Sequence, residues 1–223
     1  MSLILNIDTA LETAGICLSG NGEVLASAYN KEQKDHASWL HEAITGLLKE
    51  SRYHFSDLQA VAVSIGPGSY TGLRVGLSAA KGFCYALNIP LITIGTLEIM
   101  ANSVMEKSQR IICPLIDARR MEVYTAMYDN AGVEIFPPIA MILDENAFSE
   151  TLKEGPVLFC GNGTRKLQPF LLQSKNALFS ETGDMIRSLS GLAAGKFNLK
   201  AWSDLAYTEP LYIKEFYTTS ERS

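Results

Sequence analysis

The sequence has little of what metal and thiol chemistry requires. It contains three histidines and four cysteines in 223 residues. The cysteines lie singly in apolar runs and form no CxxC pair, so we expect buried structural thiols and no bound metal. His36 and His41 are five residues apart on a predicted helix, which points their rings in different directions. A Ser-His-Asp hydrolase is also disfavoured, because Ser69 lies in no Gly-x-Ser-x-Gly elbow.

The sequence also lacks long apolar runs and an excess of basic charge. Hydrophobic residues make up 47% and charged residues 19%, which is typical of a folded globular protein. The net charge of −5 provides no broad cationic field that could hold nucleic acid unaided. The apolar stretch 83–101 is interrupted by Pro90, Gly95 and Glu98, and residues 1–8 contain no basic segment. We therefore expect a cytoplasmic protein without a membrane span.

In the first half, the predicted order is three strands, a helix, a strand and a helix. β-branched and alternating runs predict the strands, and apolar residues at helical spacing predict the helices. The predicted strands are 3–8, 14–19, 24–29 and 60–65, with a helix from His36, a second helix over 71–87 and a further strand at 91–94.

The second half repeats this order approximately. Asp8 and Asp117 each end the first strand of a half before a tight turn. A duplicated α/β unit with a cleft between its halves fits this pattern. Its N-terminal lobe, at 1–105, contains the two helices for which a partner-binding role is argued below, and its smaller lobe is at 106–223. The predicted elements of the second half are strands at 111–117, 121–128, from 133, and 157–160, and helices at 145–153, 164–172 and 185–194.

Asp8, Thr9, Asp117, Gly161 and Gly163 are candidate nucleotide contacts. Carboxylates at the ends of facing strands could hold a metal-bound phosphate, and glycines after a strand could let the backbone approach a nucleotide. The alternative is structural, because an Asp after a strand commonly forms an Asx turn and glycines are common turn residues. Both interpretations stay open on the sequence alone.

The block from Gly66 to Gly76, GPGSYTGLRVG, is the most informative stretch. It lacks the lysine of a Walker A loop and opens a helix rich in small residues. Small residues at four-residue spacing let another helix approach, so we expect a helix-to-helix protein interface that Gly76→Arg abolishes without unfolding the chain. Packing within the chain is the alternative. The predicted interface residues are Trp39, Leu40, Ala43, Ile44, Leu47, Gly72, Gly76, Ala79, Ala80 and Phe83.

Four segments together resemble the TsaB (YeaZ) family of bacterial tRNA threonylcarbamoyladenosine biosynthesis proteins. They are Ile4–Ala10, Gly66–Gly76, Asp117–Tyr124 and Gly161–Gly163, and the match spans nearly the whole chain. The Gly66–Gly76 block is its specific part. The resemblance implies an actin-like ATPase fold (ASKHA, RNase H-like), with two lobes that are each β-β-β-α-β-α.

The resemblance also implies a partner and a role. Members of this family act beside a catalytic paralogue, TsaD, and an ATPase, TsaE, in modifying adenosine 37 of tRNA to t6A. The catalytic paralogue carries an HxxxH metal motif after the strand that corresponds to 91–94. This chain has Thr96 and Met100 there, which are poor replacements for two imidazoles. Thr9 and Ala10 also stand where phosphate-binding members of the fold usually provide a glycine.

We therefore expect an accessory subunit with no catalytic residues, which binds and activates TsaD and forms a homodimer when alone. The isolated chain is expected to bind no cofactor, while the complex uses ATP and contacts tRNA. The alternative is an ATP-dependent phosphotransferase or metallopeptidase of the same fold. Whether Arg74, Arg119 and Arg120 contact tRNA or local carboxylates stays open.

Overall fold

A computed structural model describes residues 2–32, 36–105 and 110–214. The first part of the chain forms β1 (Leu3–Asp8), β2 (Ala14–Gly20), β3 (Glu23–Asn30), α1 (His36–Glu50), β4 (Ala60–Ser64), α2 (Tyr70–Leu87), β5 (Leu91–Ile94) and α3 (Thr96–Asn102). The second forms β6 (Ile111–Asp117), β7 (Glu122–Tyr128), β8 (Glu134–Ile142), α4 (Ser149–Glu154), β9 (Val157–Cys160), α5 (Thr164–Leu167), β10 (Ala177–Ser180) and α6 (Met185–Asn198). Within these described ranges, no helix is long and apolar enough to cross a membrane.

The two sheets have the same topology. The first has the order β3-β2-β1-β4-β5, and the second has the equivalent order β8-β7-β6-β9-β10. In each, three antiparallel strands are followed by two that run parallel to the first strand. The duplicated β-β-β-α-β-α order predicted from the sequence is thereby confirmed. Because the carboxyl ends of β1 and β6 lead into the corresponding turns, Asp8 and Asp117 occupy equivalent positions in the two lobes.

The first sheet is covered by helices on both faces, which explains why β1 is apolar along its length. Successive side chains of a strand point to opposite faces. Leu5 of β1 packs in a cluster with Leu40 of α1 and Ala80 of α2. Ile4, its neighbour, packs in a separate cluster with Leu189 of α6. Both faces therefore lie in apolar cores, and every residue of β1 is buried.

The division into lobes differs from the predicted one, which placed the boundary between residues 105 and 106. Helix α6 belongs to the second half of the sequence, yet it covers the first sheet. The second lobe consists of β6 to β10 with α4 and α5. Its predicted helix at 164–172 is α5 followed by a 3-10 turn at Gln168–Phe170. The predicted helix at 145–153 begins later, at Ser149. Helix α3 and strand β10 are additional to the predicted elements.

After α6 the chain returns across the first lobe as an extended segment, residues 199–214, which we call the C-terminal strap. The Ser203 amide donates a hydrogen bond of 2.8 Å to the Leu91 carbonyl at the edge of β5. Further along, the Leu211 amide donates one of 2.7 Å to the Ile65 carbonyl. Lys214 then forms an ion pair with Glu122 of β7. The strap thus links the edge of the first sheet to the second lobe.

Candidate functional site

The glycine-rich block holds the turn that follows β1. The Ser69 amide donates a hydrogen bond of 2.7 Å to the Ala10 carbonyl, and the Ser69 hydroxyl caps α2 by accepting from the Gly72 amide at 3.3 Å. The Thr9 hydroxyl donates one of 2.7 Å to the Gly72 carbonyl. Thr9 and Ala10 are both fully buried in this contact. The block therefore binds the chain's own β1–β2 turn.

The spacing of the glycines in α2 serves the same contact. A β-carbon at Gly72 would overlap the Thr9 carbonyl oxygen, and one at Gly76 would overlap the Thr9 hydroxyl. Only glycine lets the helix lie this close to the turn. The expectation that Gly76→Arg leaves the fold intact is therefore wrong, because an arginine there would displace β1.

Several predicted interface residues lie in the core of the structure. Leu40, Ile44 and Ala80 are fully buried, and Leu47 is 5% exposed. All pack toward the first sheet, because they lie on the helix faces that cover it. This corrects the prediction for part of the set: these side chains support the helices from beneath and do not form their outer surface. The residues concerned are Leu40, Ile44, Leu47, Gly72, Gly76 and Ala80, and Ala79, which is 7% exposed, packs in the same core although it also lines the groove described next.

The outer faces of α1 and α2 form a shallow groove of about 520 Å³. Ala79 and Phe83, two of the predicted interface residues, line it, whereas Trp39 and Ala43, half-buried on α1, do not. The Phe83 ring stacks on Phe55, with 5.4 Å between ring centroids. The full lining is Ala37, His41, Val75, Ser78, Ala79, Gly82, Phe83 and Ala86.

Most of these lining residues were missed by the sequence analysis, although a signal existed. Residues 75, 79, 82 and 86 follow the three- and four-residue spacing of a helix stripe. A second stripe at 73, 76, 77, 80 and 84 is buried toward the sheet. Helix α2 therefore carries two adjacent small or apolar stripes, of which only one can face the chain's own core.

A cleft of about 430 Å³ lies between the lobes, and Asp8 and Gly161 line it. Asp8 is 3% exposed, and its Oδ1 accepts hydrogen bonds from the Ser64 hydroxyl at 2.6 Å and the Ala10 amide at 3.1 Å. The carboxylate therefore stabilises the turn it precedes. Thr9, also a predicted nucleotide contact, is turned into the contact with α2.

Asp117 forms the equivalent turn in the second lobe. Its Oδ1 accepts from the Arg119 amide at 2.7 Å and from Lys166 Nζ at 2.5 Å. Partial burial raises the pKa of Asp117, but the hydrogen bonds from Lys166 and the Arg119 amide and the positive charge of Lys166 outweigh it. The net effect holds the pKa of Asp117 below its ordinary value of 3.8. The carboxylate is thus committed to an Asx turn and an ion pair.

Gly161 and Gly163 are required by packing against α3 and β6. Gly161 has a φ of +100°, and a β-carbon there would overlap the terminal methyl of Met100. A β-carbon at Gly163 would lie 2.9 Å from the β-carbon of Leu115. The side chain of Asn162, between them, accepts from the Asp117 amide at 2.9 Å. The turn therefore fits against β6, which accounts for both glycines.

The described residues of the cleft provide no cationic side chain for the polyphosphate of ATP, which the fold would suggest. Its described lining contains three carboxylates, of Asp8, Glu12 and Asp184, and no lysine or arginine. Asp184 already caps α6 by accepting from the Arg187 amide at 3.1 Å. A triphosphate placed among these groups would face like charges without a compensating cation of the chain.

The positions that correspond to the HxxxH motif have a packing role. Thr96 and Met100 are fully buried in α3, and Met100 packs against Gly161. Within 2–32, 36–105 and 110–214, no three His, Cys, Asp or Glu side chains come together as metal ligands. Burial raises the pKa of Cys17, Cys113 and Cys160 to about 12, and that of Cys84 to about 11. The thiols are thus poor nucleophiles at neutral pH.

Two lobes with this repeated sheet order define an actin-like ATPase fold. The structure is similar to an activator of 2-hydroxyisocaproyl-CoA dehydratase from Clostridium difficile, with a TM-score of 0.51 and 12% identity over 90% of this chain and 95% of that one. It is more similar to YeaZ from Pseudomonas aeruginosa, with a TM-score of 0.73 and 23% identity over 95% of this chain and all of that one.

Sequence comparison identifies the family within this fold. The model of the family "TsaD: tRNA N6-adenosine threonylcarbamoyltransferase" matches residues 23–210. The tRNA threonylcarbamoyladenosine biosynthesis protein TsaB of Bacillus subtilis is 36% identical over 165 residues, which cover 72% of this chain and 71% of that protein. The chain belongs to the TsaB (YeaZ) family, in the t6A biosynthesis pathway.

Proposed function

We propose that this chain is a non-catalytic accessory subunit for threonylcarbamoylation of adenosine 37 in tRNA. In this role it binds and activates a catalytic paralogue, TsaD, and acts in the cytoplasm with the ATPase TsaE. The observation that carries the proposal is the groove on the outer faces of α1 and α2, in a chain of the TsaB family. This surface would be the binding site for the paralogue.

The groove has the properties of a helix-docking surface. Its α2 side presents small, exposed side chains at Ser78 and Ala86, which let a facing helix approach closely. At Gly82 an added β-carbon would meet nothing within 4 Å, so this part of the surface is open. Phe83 provides apolar area beside it. Two helices from a partner would complete a four-helix contact, and a second copy of this chain could do so through two-fold symmetry.

The interlobe cleft supports an accessory role. Asp8 is engaged in a turn and Asp184 in a helix cap, and Thr96 and Met100 pack in the core. We propose that the isolated chain binds no cofactor and that ATP is used by the assembled complex. The alternative, an ATP-dependent phosphotransferase or metallopeptidase, instead predicts ATP turnover or stoichiometric metal binding by this chain alone.

Two arginine substitutions in exposed helix glycines test the docking surface. Gly82→Arg places a long cation in the groove, whereas Gly195→Arg places one on α6, where an added β-carbon also meets nothing within 4 Å. Native mass spectrometry of each chain, alone and mixed with TsaD from the same organism, reports the assembly. We expect wild type and Gly195→Arg to pass from homodimer to heterodimer, and Gly82→Arg to remain monomeric.

Circular dichroism of Gly82→Arg should match that of wild type, because the substituted position faces outward. If folded Gly82→Arg forms the heterodimer as readily as wild type, the groove is not the docking surface. If wild type forms no heterodimer, with or without ATP, tRNA and TsaE, the accessory role itself is wrong.

A further inference from the structure

The β6–β7 turn carries two adjacent arginines in an unusual conformation. Arg119 and Arg120 have φ values of 69° and 46°, in the left-handed region that glycine and asparagine adopt more readily. Both side chains are exposed. Within the described part of the chain, neither guanidinium forms a hydrogen bond or an ion pair. The turn therefore holds two arginines in an unfavourable backbone conformation. No described contact of their side chains within the chain stabilises it.

Further cations surround this turn. Lys166 of α5 contacts Asp117 and donates to the Glu122 carbonyl at 3.2 Å. Lys214, at the end of the C-terminal strap, pairs with Glu122. We call this set of four cations the basic turn surface: Arg119, Arg120, Lys166 and Lys214.

The basic turn surface is positive in a chain that is otherwise acidic. Its two paired carboxylates, Asp117 and Glu122, neutralise Lys166 and Lys214, which leaves a surplus of two positive charges. The whole chain has a net charge of −5. This surface is thus positive although the chain as a whole is negative. Its unpaired positive charges belong to exposed arginines.

We infer that the basic turn surface binds the phosphate backbone of an RNA, and the inference rests on the proposed function, which supplies tRNA as that RNA. Arg119 and Arg120 line neither of the two cavities described above, and both side chains are exposed. Exposed arginines on a turn suit a polymer that presents a phosphate at every nucleotide. Guanidinium groups also bind phosphate through paired hydrogen bonds.

A double asparagine variant tests the inference without straining the fold. Arg119→Asn/Arg120→Asn removes both charges and places a residue that accepts a positive φ at each position. We therefore expect a Tm equal to or above that of wild type. The control is Lys31→Asn/Lys175→Asn, which removes two exposed loop cations elsewhere. Arg119→Lys/Arg120→Lys keeps the charge and should retain most of the binding.

Fluorescence anisotropy with a labelled, unmodified tRNA transcript containing A37 measures binding to the complex with TsaD. At 50 mM salt, we expect the double asparagine variant to bind at least about tenfold more weakly than the control. The slope of log affinity against log salt should fall by about two, as expected for two lost phosphate contacts. Equal affinity and slope in variant and control would overturn the inference.

Native mass spectrometry of the same samples separates this inference from the proposed function. If the double asparagine variant loses the heterodimer while the control keeps it, the turn binds protein and the RNA inference is wrong. If wild type forms no heterodimer, the proposed function fails. The same anisotropy comparison on the isolated chain then tests the inference. Weaker RNA binding by the variant than by the control supports it, and equal binding overturns it.

Discussion

The Thr9 hydroxyl donates a 2.7 Å hydrogen bond to the carbonyl oxygen of Gly72, across 63 residues of sequence. This bond joins the β1–β2 turn to the first turn of α2, and both groups are buried. Thr9→Val keeps the shape but leaves the carbonyl without this donor, so we expect a loss of about 1–3 kcal/mol in the free energy of unfolding. Urea denaturation measures it. Thr9→Ser, which restores a hydroxyl, should recover part of the loss, and an unchanged midpoint for Thr9→Val would contradict the structural role.

Replacing two glycines of α2 by alanine should change the free energy of unfolding in opposite directions. Gly76→Ala puts a methyl group against the Thr9 hydroxyl, and we expect a loss of about 1–3 kcal/mol from overpacking. Gly82→Ala meets open space and restores helix propensity, so we expect a gain of up to about 1 kcal/mol. Thermal and urea denaturation of both variants provide the comparison. Similar effects in both would contradict the assignment of one glycine to the core and the other to the surface.

The Asp117–Lys166 ion pair predicts a pH dependence of stability. The pKa of Asp117 is lower in the folded chain than its ordinary 3.8, so its contribution is fully present above about pH 4. That contribution is lost as pH falls through the folded-state pKa. Because the carboxylate is 39% exposed, we expect Asp117→Asn to cost only about 1 kcal/mol or less at pH 7. The urea midpoints of wild type and Asp117→Asn, measured from pH 2.5 to 7, should converge in acid. A difference that stays constant with pH would show that the Asp117 carboxylate is not its source.

Arg74 anchors the C-terminal strap. Its Nε donates to the Tyr212 hydroxyl at 2.9 Å, and its guanidinium lies 3.7 Å from the centroid of the Tyr70 ring. We expect Arg74→Ala to cost about 1–2 kcal/mol and to speed proteolysis of the strap. Arg74→Lys keeps the charge without the planar group and should recover only part of this. Limited trypsin digestion, read by mass spectrometry, checks the prediction, and wild-type cleavage rates in Arg74→Ala would refute it.

Much of the first lobe follows from the sequence because its strands are apolar runs bounded by turn residues. The predicted bounds of β1 and β5 agree with the structure at both ends. Helix α3 was missed because its seven residues, which follow β5 after a single glycine, are too few to show a helical period. Strand β10 is four half-buried residues at a sheet edge and gives a weak pattern.

The candidate site was harder to predict because a helix pattern shows which residues are apolar but not what they face. Gly72 and Gly76 correctly indicated a close approach to α2, but the approaching element is the turn at Thr9, which is remote in sequence. The positive φ values of Arg119 and Arg120 likewise have no sequence signal, since arginine gives no indication of that conformation. Both features depend on contacts or geometry that only the folded chain defines.

The position of α6 has a consequence for how the protein is made. Ile4 and Ala62, laid down early in synthesis, are buried under Leu189 and Ala193, which the ribosome adds more than a hundred residues later. One face of the first sheet therefore stays open to solvent, or to a chaperone, until α6 has left the exit tunnel. Although its strands are encoded first, the N-terminal lobe cannot be the first part to mature during translation.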